Sequence, residues 1–371
     1  MIYSERVKEK IQQHKQFWNG EGPSLILIPP ARDMGETWQE QIYDTSNYRE
    51  KFFNPEKMWQ SEMYRARPVI EWPTDGIPTI RPNLGVVFVP SMAGQDYVLR
   101  EGMMPWAGEA LSPEQIRKAL DKDLSSAELM KLAEQFYSIH REKDDGEVAP
   151  YQADNQGIFD IAHLLYGDQI FYDLMDENQL SWIDELLDIS RQLMVRASRY
   201  VKKCIGEEDN WMIHGHGTEQ GVYFPESGLR ISEDTPAMIA PDQIDRFVMG
   251  SIEQCAKEFG SIFLHYCGSH ESFFEKLCRS DAVRAIDLGN PESYDTRWLF
   301  KTCAETNTVL YSRVAPAEEE TRDGDWRAYT KRLAGLVNET GARIILRPLV
   351  FPSNRDECVE MQESWHELTE Q

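Results

Sequence analysis

His265 and Cys267 stand two residues apart at the close of the apolar run SIFLHY (261–266). Alternate residues of a strand face the same side, so an imidazole and a thiol sit side by side there. That pair suits zinc, which takes nitrogen and sulfur ligands at about 2.0–2.3 Å. A catalytic zinc needs a third protein ligand and one open position. Other reactive side chains fall at comparable places. Glu233 and Asp234 end the run GLRISED (228–234), and Asp287 ends AVRAIDL (282–288). Arg313 ends TVLYSRV (308–314), and Arg347 lies in ARIILRPLV (342–350). The His214-Gly215-His216-Gly217 stretch also has metal-ligand spacing, but its glycine-rich setting (205–221) reads as a loop with structural histidines. A serine hydrolase is unsupported, because no GxSxG elbow occurs. Glu233 and Asp234 are strand neighbours pointing to opposite faces, so they do not pair as the acid and nucleophile of a glycosidase.

The elements that must carry these residues alternate regularly from position 150 onward. A helix over 176–203 has Ile183, Leu186, Leu187, Leu193, Met194, Ala197 and Val201 on one face, with a 3.6-residue period. Each later strand is a nearly continuous apolar run followed by a helix: 241–259, near 270–279, near 293–304, 326–337 and 355–369. Strands of that kind are buried on both faces, so a parallel sheet wrapped by helices is expected. In such folds the reactive groups gather at the C-terminal strand ends, the rim towards which Glu233, Asp234, His265, Cys267, Asp287, Arg313 and Arg347 are delivered. No GxGxxG loop follows the first strand, which favours a (β/α)8 TIM barrel over an open dinucleotide-binding sheet. Nearer the N-terminus, 4–18 reads as an amphipathic helix ending at Asn19-Gly20, and SLILIPP (24–30) as the first buried strand. Ser112, Pro113 and Gln115 open a helix expected over 112–138 with a capping-box spacing, and REKDDGE (141–147) reads as a solvated turn. The expected organisation is one domain over 1–371. It comprises an N-terminal helical elaboration (1–22), a first strand with irregular additions (23–150) and regular β/α repeats (151–371).

Composition narrows the classes. The chain has 371 residues, with 39 basic and 63 acidic, for a formal charge of −24. That balance argues against duplex nucleic acid and anionic membrane as partners. No stretch approaches the roughly 20 apolar residues of a membrane span, and the charged N-terminus lacks the apolar core of a signal peptide, so a cytoplasmic location is expected. The six cysteines, Cys204, Cys255, Cys267, Cys278, Cys303 and Cys358, form no CxxC pair. A disulfide framework is not expected, and a special cysteine reads as a ligand or nucleophile.

The surroundings of His265 carry a resemblance. The stretch 231–277 has an acidic strand end (Glu233-Asp234), an Ile239-Ala240-Pro241 step into a helix, and a strand closing in His265-Tyr266-Cys267-Gly268. It resembles the uroporphyrinogen decarboxylase-like superfamily. NQGIFDIAHLLYGDQIFYDLMDE (155–177), which contains Asp160, is similar to a second segment of that family, and PSLILIPP (23–30) falls at its first barrel strand. The resemblance implies a (β/α)8 barrel with a deep cleft and one of two chemistries. One branch decarboxylates uroporphyrinogen without a cofactor, using an arginine-rich signature after the first strand. Here Ala31-Arg32-Asp33-Met34-Gly35 stands at that place with a single arginine, too few donors for an eight-carboxylate substrate. The other branch contains methyltransferases that work with corrinoid proteins, where zinc held by His-x-Cys and a distant Cys activates a thiol.

The His265-x-Cys267 pair favours the methyltransferase branch. The family's distant Cys is missing after RIILRPLVFPS (343–353); Cys358 comes later and Cys303 belongs to a helix. Asp287, Glu233 or Asp234 is expected to supply an oxygen ligand in its place. The resemblance then implies zinc on His265 and Cys267, with Asp234, Asp287 and Arg313 in catalytic roles. Asp160, Glu233 and Arg347 are the expected substrate-binding residues. Nothing resembles the D-x-H-x-x-G cobalamin signature, so the corrinoid is expected on a partner protein, with a small-molecule methyl donor or acceptor. The assembly is left open between monomer and homodimer. Two alternatives remain: a metal-independent decarboxylase or lyase acting on a small or tetrapyrrole carboxylate, and a barrel that binds a ligand without turnover.

Overall fold

The β/α units are built on short, largely apolar strands, interrupted before their C-terminal ends by Arg230 in Ser227–Ser232 and Arg284 in Val283–Leu288. The computed structural model describes residues 2–30, 48–100 and 105–370; the Ala31–Gly35 segment lies outside them. Strands are numbered in chain order: β1 (Leu25–Ile26), β2 (Ile77–Ile80), β3 (Tyr97–Val98), β4 (Trp106–Ala107), β5 (Ala149–Pro150), β6 (Trp211–His214), β7 (Gln220–Pro225), β8 (Ser227–Ser232), β9 (Ser261–Tyr266), β10 (Val283–Leu288), β11 (Val309–Ser312) and β12 (Ile344–Leu346). A six-stranded sheet runs β1-β12-β11-β10-β9-β8, and all its pairings are parallel. A four-stranded sheet runs β5-β2-β7-β6, and β3 and β4 form a separate antiparallel pair. Two hydrogen-bonded contacts link the edges of the larger sheet to the β2–β5 region. Asp75 N donates to Ile26 O at 2.9 Å beside β1, and Gln156 bridges Ser232 of β8 in parallel.

The expected helices follow the strands. Helices Gly250–Phe259, Glu271–Cys278, Thr296–Thr306, Trp326–Thr340 and Arg355–Thr369 alternate with β9 to β12 and after them. One strand face meets the helices through Ile262, Leu264, Ile286, Leu288, Leu310, Ile344 and Leu346. Full burial of such side chains stabilises by about 1.5–3 kcal/mol each. The opposite face carries a smaller cluster, in which Phe263, Ala285, Val309, Tyr311 and Ile345 meet Met212, Val222 and Phe224 of the β6–β7 hairpin. Register fixes which groups share that face. Arg230, Phe263 and Ala285 form one row, and Ser232, His265 and Asp287 the next row towards the strand ends.

Three expectations change. The stretch 205–221 is not a loop throughout, because Trp211–His214 and Gln220–Pro225 pair antiparallel on either side of a short turn. The helix expected over 112–138 is broken into Pro113–Arg117, two 3-10 turns and Glu128–Lys143, although the Ser112–Gln115 capping box is present. Asp123 caps the second of these turns, its side chain accepting from Ser125 N. In 141–147, Arg141–Lys143 belong to the end of a helix and Gly146 is buried. The helix over 241–259 carries a π-helical turn at Asp245–Met249. The N-terminal helix Glu5–Trp18 starts on Ser4 as N-cap and stops at Asn19, as its sequence requires.

Candidate functional site

His265 closes β9, and its ring is held from behind. Asp287, directly opposite on β10, places Oδ2 at 3.0 Å from His265 Nδ1. Burial raises the Asp287 pKa, but His265, Arg347 and Arg230 outweigh it and hold the group below its ordinary value. An ionised carboxylate only accepts, so Nδ1 is the donor, and Nε2 is the nitrogen left free to bind a metal. Nε2 faces Cys267 Sγ at 3.4 Å and Asp234 Oδ1 at 3.9 Å. A tetrahedral zinc with ligand bonds of 2.0–2.3 Å needs donors about 3.3–3.8 Å apart. Asp234, His265 and Cys267 therefore form a three-donor group of suitable span, its donor atoms all within 4.8 Å of one another. Cys267 is the exposed member of the group.

The thiol needs a cation to ionise. Its partial burial, then Asp234 and Asp287, push the Cys267 thiol up to about 12, although the residue as a whole is exposed. In the metal-free chain it stays protonated and donates weakly to His265 Nε2. Gly289 makes room for it: a Cβ there would stand 2.5 Å from Cys267 Sγ. Arg313 lies behind, donating to Gly289 O at 3.2 Å.

Asp234 is positioned by two buried carboxylates. Asp160 accepts from Asp234 N at 2.9 Å and from Thr235 N at 2.8 Å. Glu233 turns the other way and accepts from Phe159 N and Asp160 N, both at 3.2 Å, in the first turn of helix Ile158–Tyr166. Burial and then the nearest carboxylate, Asp234 for Asp160 and Asp160 for Glu233, push both groups upward. Both accept from backbone amides, and Asp160 from the Thr235 side chain as well, so both act on the site by holding the β8 loop. Asp234 Oδ1 also accepts from Cys267 N at 2.6 Å, which joins the two strand ends.

The histidine assigned to a structural loop role in the sequence belongs to this site. The His216 ring lies tilted against that of His265 with centroids 4.2 Å apart, and its Nδ1 is 3.2 Å from Asp287 Oδ2. It takes a left-handed φ of 40°, strained for a non-glycine residue, on the hairpin turn. A second donor group, His216, His265 and Asp287, is also close enough for a metal. Arg230 Nη2 lies 2.6 Å from His216 Nδ1, so a guanidinium occupies the direction a metal would take. Burial, then Arg230, His265 and Arg347, hold the His216 ring well below its ordinary pKa and hence neutral. Arg230 also pairs with Asp154 at 2.5 Å, and Asp154 with Arg81 at 3.1 Å. Sequence reasoning missed Arg81, Asp154, Arg230 and His216. The only local signal was the His-x-His spacing.

No family model and no curated protein matches the chain. Arg347 reaches the same centre, with Nη1 3.8 Å from Asp287 Oδ2. Cys303 and Cys358 are buried in helices Thr296–Thr306 and Arg355–Thr369, outside both donor groups. No described helix is long and apolar enough to cross a membrane.

Proposed function

We infer that the chain is a zinc-dependent methyltransferase of the uroporphyrinogen decarboxylase-like type, with Asp234, His265 and Cys267 as the metal ligands. The carrying observation is the three-donor group at the ends of β8 and β9, with Asp287 on the outer nitrogen of His265. A carboxylate behind a metal-bound histidine fixes its ring and raises its basicity. Asp234 stands in for the missing distant cysteine. The reading includes a closed (β/α)8 barrel. The β1–Asp75 contact, the parallel β2–β5 pair and the Gln156–Ser232 bridge support a ring of β1, β2, β5 and β8 to β12.

Zinc bound there supplies the positive charge that keeps a sulfur as thiolate near neutral pH. Asp287 holds the His265 ring, Asp160 holds the backbone of Asp234, and Arg313 lies at the Cys267 side of the cleft. The methyl group passes between a corrinoid carried by a partner protein and an acceptor held in the cleft. Metal analysis and transfer assays test this together. The expected result is one zinc per chain, lost with Cys267→Ala and Asp234→Ala, and methyl transfer from a methylated corrinoid protein that falls with the zinc. A chain with neither zinc nor methyl transfer would leave a metal-independent lyase as the better reading, and full transfer by Cys267→Ala would remove this zinc site from the mechanism.

A further inference from the structure

The inward rows hold polar groups that the metal does not use. Tyr311 Oη, His214 Nε2, Arg230 Nε and Asp287 Oδ1 are buried and have no hydrogen-bond partner among the described residues. Their residues are at most 4% exposed, and native proteins keep few such atoms unmatched. All four belong to residues grouped about the Phe263 ring. His214 and Tyr311 lie 5.9 Å and 5.0 Å from it by ring centroid, Arg230 is its register partner on β8, and Asp287 follows its β10 partner Ala285 by two residues. Arg347 stands 5.6 Å over the Tyr311 ring, and no hydrogen bond from its guanidinium reaches a described residue. Its ion-pair contact among the described residues is with Asp287, whose Oδ2 is engaged by His265 Nδ1.

Donors dominate this set: the Arg347 fork, Arg230 Nε–H and the Tyr311 hydroxyl, while His214 Nε2 donates or accepts according to its tautomer. The open carboxylate acceptor, Asp287 Oδ1, lies beside Arg347. Such a set is matched by a ligand rich in acceptors and negatively charged, and a planar guanidinium fits a carboxylate through two parallel bonds. We propose that this inward row of unmatched groups binds a carboxylate, seated between the Arg347 guanidinium and the Tyr311 hydroxyl, with Arg230 and His214 behind it. The small molecule that meets the metal is then an organic acid, anchored one row below His265. This inference rests on the site reading proposed above, and zinc content is read separately so that the two can fail apart.

Thermal unfolding of the full, zinc-loaded chain provides the test, with acetate, succinate and inorganic phosphate as probes against chloride at equal ionic strength. Acetate and succinate are expected to raise the midpoint in a saturable way, and phosphate to match chloride. Arg347→Gln should abolish the carboxylate shift. Tyr311→Phe removes one unmatched hydroxyl and keeps the shape. It should weaken carboxylate binding about fivefold or more while leaving the ligand-free midpoint unchanged or higher. A purely structural hydroxyl would give the reverse: a lower midpoint with the carboxylate shift intact. That result overturns the proposal, as does a phosphate shift equal to that of acetate, or no saturable shift at all. A carboxylate shift in a chain that holds no zinc would overturn the metal reading alone.

Discussion

His265 is useful to a metal only while its ring is fixed. Two nitrogens compete for that role, and Asp287 decides between them by taking Nδ1–H at 3.0 Å. Asp287→Asn leaves the volume unchanged but can present an N–H to the same nitrogen, so the ring loses its preferred tautomer. Zinc affinity is expected to fall about 10–100-fold in that variant. Competition with a zinc indicator would measure it, and unchanged affinity would remove Asp287 from the supporting role. Gly289 makes a second demand on the same centre, because a methyl group there would stand 2.5 Å from Cys267 Sγ. Gly289→Ala should displace the sulfur and reduce zinc content while the far-ultraviolet circular dichroism stays native. Full zinc content in that variant would mean the sulfur has another place to stand.

At the scale of elements, the site depends on how the β8 loop is tied to helix Ile158–Tyr166. Glu233 reaches across to the first amides of that helix, and Asp160 reaches back to the amides of Asp234 and Thr235. Gly157 precedes the helix where a Cβ would overlap the Glu233 carboxylate. Gly157→Ala is therefore expected to destabilise the chain by about 1–3 kcal/mol and to lower zinc affinity through Asp234. Urea denaturation with a parallel zinc titration checks both, and a neutral result would show that the tie is slack. The strands that end at His265 and Asp287 were legible in the sequence, because an apolar run buried on both faces has few alternatives. The hairpin Trp211–Pro225 was not: its polar, glycine-rich turn hides two short strands that pair only with each other and with β2. His216 was lost with it. Its place against His265 is set by a turn at φ 40° and by contacts across the sheet, neither of which local spacing records. Asp234 was one of three candidate oxygen ligands, and only the direction of Glu233 into a helix separates it from its neighbour.

At the scale of the molecule, one buried carboxylate joins both chain-terminal helices to β1. Asp75 accepts from Ile26 N at 2.7 Å, from Gln13 Nε2 of helix Glu5–Trp18 at 2.8 Å and from Gln362 Nε2 of helix Arg355–Thr369 at 2.8 Å. His366 Nε2 of the latter helix lies at 2.9 Å, and Asp75 O contacts His14 Nε2 at 2.8 Å. Burial raises the Asp75 pKa, but the His366 hydrogen bond and charge, with Lys10, more than offset it, so the group is held low. Burial lowers the His366 pKa, and the hydrogen bond and charge of Asp75 overcome that, so it is raised above 6.5. The signs then fix a window. The His366 contribution is fully present below its unfolded pKa near 6.5 and is lost as pH rises through the folded value. The Asp75 contribution is present above its unfolded pKa near 3.8 and is lost as pH falls through its lower folded value. The charged bond is therefore strongest between about pH 4 and 6.5. His366→Gln keeps a donor but no charge, so wild type should exceed it by on the order of 1–3 kcal/mol at pH 5.5. That gap should close towards pH 9, because other titrations are common to both chains and cancel in the difference. Urea midpoints of the two proteins across that range measure it, and a gap that stays constant or widens with pH would mean that the two ends are held by packing rather than by this charge.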